Sequence, residues 1–302
     1  MTRLLAAVEA GGTKFVCAVG TDEGRILAQG RFPTTAPDET IAHAIRFLEG
    51  QQAALGHAAA LGIAAFGPLD LHRDSRSFGH ITSTPKPGWA DTDLLGRLSR
   101  GLGLPAAIDT DVNAAALAEW RWGAGRGLGS LVYLTIGTGI GGGALLDGRP
   151  VHGLVHPEMG HILLPHDRDA DPFPGSCPFH GDCFEGLASG PALEKRWQQR
   201  GESLPDDHPA WHLEAHYLAL GLTTFICALS PERILLGGGV MDRGQLYPMT
   251  RTKVAALLHG YVQAEAITRG LDQYIAPPML GTDAGIMGAL ALAGSLAESG
   301  AT

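Results

Sequence analysis

A strand, a glycine-rich turn and a second strand occur twice in this chain, and that repeat constrains the fold more than any other feature. VEAGGTKFVCAVG opens the sequence from Val8, and LTIGTGIGGGALLDG follows the same plan from Leu134. Two stretches of small residues repeat as well: DTDVNAAALAEW from Asp109 and GTDAGIMGALALA from Gly281 both carry Thr-Asp at their second and third positions. A duplicated strand-turn-strand with a small-residue helix predicts two related lobes facing a shared cleft, with ligands held between them. Hydrophobic periodicity fills in a mixed α/β chain. It predicts strands over 4–8, 15–19, 26–31, 60–65, 106–108, 131–136, 142–146 and 233–236, and helices over 37–53, 91–100, 112–122, 189–200, 209–230, 245–258 and 284–298.

The glycine turns are candidates for phosphate binding. Gly137, Gly139 and Gly142 spell a G-x-G-x-x-G, but the residues that follow, GALLDGRPV, read as a strand, so no helix N-terminus is offered to a pyrophosphate. Gly11-Gly12-Thr13-Lys14 lacks the first glycine and the spacing of a Walker loop. What remains is a pair of hairpin turns, Gly11, Gly12, Thr13 and Lys14 in one and Thr135, Gly137, Thr138 and Gly139 in the other. Their amide N–H groups and hydroxyls suit phosphate oxygens. Each alone could equally be a plain turn; the repeat favours phosphate. A third cluster, Gly237-Gly238-Gly239, closes another apolar strand. One of Asp109, Thr110 and Asp111 should cap the helix that follows them, and Asp111 is the candidate carboxylate for accepting a hydroxyl proton in phosphoryl transfer.

The run from His156 to Glu185 contains HPEMGH and CPFHGDCFE. Cys177, His180 and Cys183 stand with two residues between each pair, and His161 supplies a fourth donor, a set that suits tetrahedral zinc. Four protein ligands leave no position for an activated water, so such a metal organises a loop. A Cys177–Cys183 disulfide is the competing reading and needs an oxidising compartment. Glu158 and Glu185 flank the ligands, and carboxylates fixed in this way are good acceptors for vicinal hydroxyls, which implies a polyol or sugar guest; the alternative is two surface glutamates beside a metal loop.

The bulk properties narrow the class. A net charge of −9 without a basic stripe argues against a nucleic-acid partner. The apolar run Leu4 to Val8 is too short for a signal peptide or membrane span, so a cytoplasmic protein with no membrane partner is expected. Cys17 and Cys227, in FVCAV and FICAL, read as buried reduced thiols, and the segment from Ile81 to Trp89 as a loop lining the sugar side or an ordinary surface loop.

Taken together, these motifs resemble the ROK family of sugar kinases and repressors, nearly end to end, and most closely its zinc-containing fructokinase branch. EAGGTK at 9–14 resembles the family's first phosphate loop, IGTGIGGG at 136–143 its second, LLGGGV at 235–240 its adenosine-side turn, and DVNAAALAE at 111–119 its catalytic helix. The resemblance implies an α/β, two-lobed actin-like (ribonuclease H-like) ATPase fold with duplicated βββαβα halves around a central cleft. It is expected to divide into a smaller lobe, 1–110 plus about 284–302, and a larger one, 111–283, bearing the zinc loop. By the same resemblance Asp111 is the general base, Glu158, His161 and Glu185 contact the sugar, and His161, Cys177, His180 and Cys183 bind a structural zinc ion. The implied cofactors are ATP and Mg2+, the substrate is a hexose, most nearly D-fructose, and the assembly is a homodimer. Departures are Thr110 where many members carry Asn, Glu9 where Asp is commoner, and His180 where many zinc motifs carry a third Cys, the two-and-two form being that of the fructokinase branch. A sugar-responsive repressor would need a DNA-reading domain ahead of the first loop, for which the start at residue 9 leaves no room; glucose, mannose or N-acetylhexosamine phosphorylation and a sugar-independent ATPase stay open.

Overall fold

The structure, a computed structural model, describes residues 2–84 and 86–299. The chain gathers into two compact units: Met1–Gly127 with Gly148–Pro157 and Met279–Thr302, and Leu128–Asp147 with Glu158–Pro278.

The first unit opens with β1 (Leu4–Ala10), β2 (Lys14–Thr21) and β3 (Ile26–Pro33), then α1 (Pro37–Leu55), β4 (Leu61–Ala65), a short β5 (His80–Ile81) paired with β6 (Thr92–Asp93), α2 (Leu94–Leu102), β7 (Ala106–Thr110) and α3 (Asp111–Trp122). Its main sheet has the order β3-β2-β1-β4-β7, antiparallel from β3 to β1 and parallel from β1 to β7. β1 as far as Val8 and the whole of β4 are continuous apolar runs because both of their faces are covered, whereas β3 alternates inward and outward. Ala10, Ala65 and Thr110 lie in register at the carboxyl ends of the parallel strands, so the first glycine turn and Asp111 both emerge at that edge.

The second unit begins with β8 (Ser130–Ile136) and β9 (Ile140–Leu146); the two residues of β10 (Arg149–Pro150) belong to the first unit. It continues through α4 (Phe184–Ala188), α5 (Gly190–Trp197), α6 (Ala210–Leu229), β11 (Ile234–Gly237), α7 (Leu246–Leu258), α8 (Glu265–Thr268), α9 (Leu271–Tyr274) and β12 (Ile275–Ala276). The order β9-β8-β11-β12, an antiparallel hairpin followed by two parallel pairings, repeats β2-β1-β4-β7 of the first unit. The duplication expected from the two hairpin motifs is therefore a duplication of sheet topology. Among the described residues no helix is long and apolar enough to cross a membrane.

The C-terminal helix α10 (Ala284–Ser299) lies in the first unit with α3. A Cβ on Gly288 would stand 2.3 Å from the Ala114 carbonyl, and one on Gly62 of β4 would stand 1.8 Å from the Ala289 oxygen, so α10 meets both neighbours backbone to backbone. The two small-residue stretches are small because they pack on each other. This corrects the boundary expected at 110/111: α3 stays with the first unit, which runs to Gly127 and also takes 148–157. A smaller expectation is corrected as well. Cys227 is exposed, because successive helical residues turn about 100° and the buried Phe225 and Ile226 leave Cys227 on the outer face of α6. Trp89 is fully buried and its indole donates to the Thr35 carbonyl at 2.9 Å, so the end of the Ile81–Trp89 segment is core; Pro85 lies outside the described residues.

A buried acid stands in the second unit. Glu214 on α6 is wholly enclosed, neither carboxylate oxygen has a hydrogen-bond partner, and burial pushes its carboxyl well above the ordinary range, only partly opposed by Arg196. A carboxyl raised in the folded state stabilises the fold below its unfolded value and loses that contribution as pH rises toward the folded one. Glu214→Gln is therefore expected to raise the melting temperature by a few degrees at about pH 8, with the difference from wild type closing near about pH 4.5. Equal melting curves at both pH values would show that the acid bears no ionisation cost.

Candidate active site and metal centre

In the first unit, the residues at 109–111 divide the roles that the sequence left in competition. Thr110 is the cap of α3, its hydroxyl accepting the Asn113 amide at 3.2 Å. Asp109 is buried and held from several sides: Oδ1 accepts from the Thr110 amide and from Asn113 Nδ2, both at 2.8 Å, and Oδ2 stands 3.0 Å from His152 Nε2. The hydrogen bond to Asp109 holds the His152 imidazole above its ordinary pKa. Asp111 is half-buried at the first helical position, and its Oδ1 accepts the Val112 amide at 2.9 Å. Capping and buried pairing thus fall to its two predecessors.

The first glycine turn is closed by the Gly11 amide donating to the Lys14 carbonyl at 3.0 Å, and Thr34 Oγ1 donates to the Gly11 carbonyl at 2.7 Å. A side chain at Gly11 would stand 2.7 Å from the Lys14 oxygen, whereas Gly12 faces open space and Thr13 and Lys14 are exposed. Burial pushes the neighbouring Glu9 carboxyl up; Lys14 opposes the rise most, Asp111 adds to it, and Arg31 and Asp283 act as a further opposing pair. Arg31 and Asp283 themselves approach to 3.8 Å. Glu9, Asp111 and Asp283 therefore share one electrostatic neighbourhood with Lys14. The sequence reading did not single out Asp283, His152 or Asn113. For Asp283 the signal was present, since it is the third residue of GTDAG, the counterpart of Asp111 in the repeated stretch.

In the second unit, Gly137, Thr138 and Gly139 connect β8 to β9, with the Gly137 amide donating to the Gly139 carbonyl at 2.9 Å. Thr135 pairs in register with Gly237 of β11. Gly238 has φ +91°, and a Cβ there would lie 2.4 Å from the Ile136 oxygen, so only glycine fits. The turns at 137–139 and 237–239, a hundred residues apart in sequence, thus meet. They line a cavity of about 720 Å³ with Arg200, Glu202, Trp211 and Arg243.

The metal-type ligands also come together. His161 Nδ1 stands 3.8 Å from Cys177 Sγ and 3.6 Å from Cys183 Sγ, His180 Nδ1 stands 3.6 Å from Cys177 Sγ, and all four ligand atoms lie within 4.8 Å of one another. Zinc bonds of about 2.3 Å to sulfur and about 2.0–2.1 Å to nitrogen place tetrahedral S and N atoms about 3.6 Å apart, so the donor set fits that ion. All four cysteines of the chain are free thiols, which removes the disulfide alternative. The frame depends on close backbone approach: Gly175, at φ +90°, and Gly186 would each carry a Cβ about 2 Å from the Gly181 oxygen, at 2.0 Å and 1.9 Å. Cys183 then starts α4, whose Phe184 is fully buried against Gly221 of α6. Full burial of such a ring stabilises by about 1.5–3 kcal/mol.

Glu185 is the second residue of α4, half-buried, and its Oε2 accepts the Ile140 amide at 3.0 Å. A Cβ on Gly139 would lie 2.6 Å from that oxygen, so the second glycine turn has glycine there to admit the carboxylate. Gly160 packs on the other side of the same residue, a Cβ there falling 1.9 Å from the Ile140 carbonyl oxygen. Glu158 is exposed at the start of the short turn Met159–His161. With Nδ1 of His161 facing the sulfurs, its Nε2 is the nitrogen left to meet a ligand. The phosphate-type turn and the metal loop are thereby joined through Ile140, which nothing in the sequence announced.

The repeated sheets, the glycine turns and the metal loop define an actin-like α/β protein of the sugar-kinase class. Residues 5–295 match the ROK family, and the chain belongs to it. It is 44% identical over 300 residues to the fructokinase of Zymomonas mobilis, with 96% of each chain covered, and 41% identical over 290 residues to the fructokinase of Pediococcus pentosaceus, covering 96% of this chain and 97% of that one. Among solved structures, the ROK hexokinase from Thermus thermophilus superimposes with a TM-score of 0.81 at 28% identity, over 99% of this chain and 100% of the other.

Proposed function

We propose that this chain is an ATP-dependent fructokinase of the zinc-containing branch of its family, converting D-fructose and MgATP to fructose 6-phosphate and ADP. What supports the reading is 44% identity to a fructokinase together with a four-donor cluster of His161, Cys177, His180 and Cys183 that Glu158 and Glu185 flank in sequence. A nucleotide hydrolase without a sugar acceptor has no use for a carboxylate held as Glu185 is, on the Ile140 amide beside the metal loop.

Asp111 is the general base. As the 6-hydroxyl oxygen bonds to the γ-phosphorus and the bond from that phosphorus to the β,γ-bridging oxygen breaks, the hydroxyl proton passes to the Asp111 carboxylate and ADP leaves. Glu158, Glu185 and His161 Nε2 accept or donate to sugar hydroxyls, and a sugar lacking those groups is rejected because it would leave them unpaired. The amides and side chains of Gly11, Gly12, Thr13 and Lys14, and of Thr135, Gly137, Thr138 and Gly139, hold phosphate oxygens. The cavity beside Gly237, Gly238 and Gly239 takes the adenosine. Glu9 and Asp283 would hold hydrated magnesium, which supplies positive charge to the phosphates; a carboxyl pushed up by burial next to other acids suits a site completed by a cation. His161, Cys177, His180 and Cys183 would hold zinc with a closed coordination sphere, so its contribution is to the loop. A homodimer in the cytoplasm belongs to the same reading, and four free thiols suit a reducing compartment.

An ADP-release assay with MgATP against fructose, glucose, mannose, N-acetylmannosamine and a no-sugar blank tests the assignment. Fructose is expected to exceed the other sugars by about tenfold or more in kcat/KM, the scale that pocket contacts differing by a hydroxyl provide. A stronger signal from another hexose would reassign the substrate, and equal release in every well would leave a nucleotide hydrolase.

A further inference from the structure

The cavity in the second unit has one wall with little structure of its own. Gly201–Ser203 form a single short helical turn without a side-chain cap, and the chain then runs through Leu204 and Pro205 to Asp206. Three of its carbonyls converge on one atom. Arg243 Nη2 donates to the Gly201, Glu202 and Leu204 oxygens at 3.2, 2.8 and 3.0 Å, while Nη1 donates to Asp206 Oδ1 at 2.6 Å. The guanidinium carbon lies 5.2 Å from the centre of the Trp211 ring, and the indole of Trp211 donates to the Pro205 carbonyl at 2.8 Å. Arg243 directly follows the short turn Gly239–Asp242, and it lines the cavity together with Gly239, Gly201, Glu202 and Trp211. One side chain therefore ties the segment after the glycine turn to the 201–206 loop, both of which line the cavity.

We infer that Arg243 is a positioning residue that sets the width of the nucleotide cavity by clamping the 201–206 loop; this rests on the reading of that cavity as the adenosine site. The Asp206 partner is mostly solvent-exposed, at 77%, so the ion pair adds little and the carbonyl clamp carries the effect. Lysine cannot take over, because a single ammonium lacks the planar fork that reaches carbonyls and carboxylate at once.

The test compares Arg243→Lys, Asp206→Asn and Trp211→Phe with wild type by calorimetric titration with MgADP, steady-state kinetics and zinc content. Arg243→Lys is expected to weaken MgADP binding about tenfold, the loss of charge-assisted bonds to two or more carbonyls, with KM for ATP rising in parallel. KM for fructose and zinc content should stay within about twofold, since the sugar-side and metal loops are separate segments; Asp206→Asn should likewise keep MgADP affinity within about twofold. Trp211→Phe keeps the ring and loses the Pro205 bond, so a smaller rise of the same kind is expected, and it decides the question if the lysine variant does not fold. Unchanged MgADP affinity in the arginine and tryptophan variants would overturn the inference. So would an equal rise in both KM values with loss of zinc, or an Asp206→Asn effect as large as that of Arg243→Lys. Absence of MgADP binding by wild type overturns it together with the nucleotide assignment, whereas MgADP binding without fructose-dependent turnover overturns the sugar reading alone.

Discussion

Asp111→Ala is expected to lower kcat for fructose phosphorylation by about a thousandfold, within the range that a positioned general base supplies. The fold should survive the change because the helix does not depend on this side chain. Thr110 caps α3, Asp109 is held by Asn113 and His152, and α10 packs on α3 through Ala114 and Gly288. What Asp111 gives the helix is a negative charge in its first turn, worth about 0.3–1 kcal/mol. Removing it also relieves Glu9, whose carboxyl Asp111 pushes up. The melting temperature should therefore move by a few degrees at most, and MgADP should still bind. Stopped-assay turnover and a calorimetric titration check the two halves. Wild-type-like turnover would defeat the assignment of the base, and a collapse of MgADP binding would mean that the carboxylate serves the nucleotide and not the acceptor.

Cys177→Ser is expected to strip zinc from the protein and to raise KM for fructose by about tenfold or more, with a lower melting temperature, the scale seen when one buried metal ligand or its support is lost. Met159 and Leu164 of the loop are buried, but the apolar side chains nearer the ligands are not. Leu163 and Phe179 within it are 73% and 82% exposed, and the close approaches of Gly175 and Gly186 to the Gly181 oxygen bring backbone together around the ligands. Phe184 beyond Cys183 stays docked on α6, so the loss should centre on 159–183 and reach Glu185 through a shifted start of α4. Metal analysis after desalting is the direct readout. Unchanged zinc content in the serine variant would take Cys177 out of the ligand set, and lost zinc with an unaltered KM for fructose would detach the metal from the sugar side.

Much of the fold was legible from the residues because the signals are local. Strands buried on both faces leave unbroken apolar runs, hairpins need their glycines, and helices declare themselves by period, so β1, β2, β8 and β9 and the long helices fall where the pattern places them. The elements that escaped are those too short to have a period. α4 has five residues and β12 has two, and both are fixed by what they pack against. The apolar context FICAL gave no account of which way Cys227 faces, since a run of that length wraps the helix and tertiary packing chooses the buried side.

The candidate site divides along the same line. Sequence by itself determined the donors Cys177, His180 and Cys183, the two glycine turns and the group of three at 109–111, because spacing of a few residues fixes which side chains can share one ion or one helix start; His161, 16 residues before Cys177, was offered as the fourth donor and is brought to them by the fold. Only the tertiary structure decided that Thr110 takes the cap, that Glu185 is bound to the Ile140 amide beside Gly139, that Asp283 shares the neighbourhood of Glu9 and Asp111, and that Arg243 gathers the carbonyls of 201–204. Apart from the cap, where three residues competed for one local role, those pairings join residues from 39 to 274 positions apart, and at such separations contact is set by the packing of whole elements, which short-range spacing does not encode.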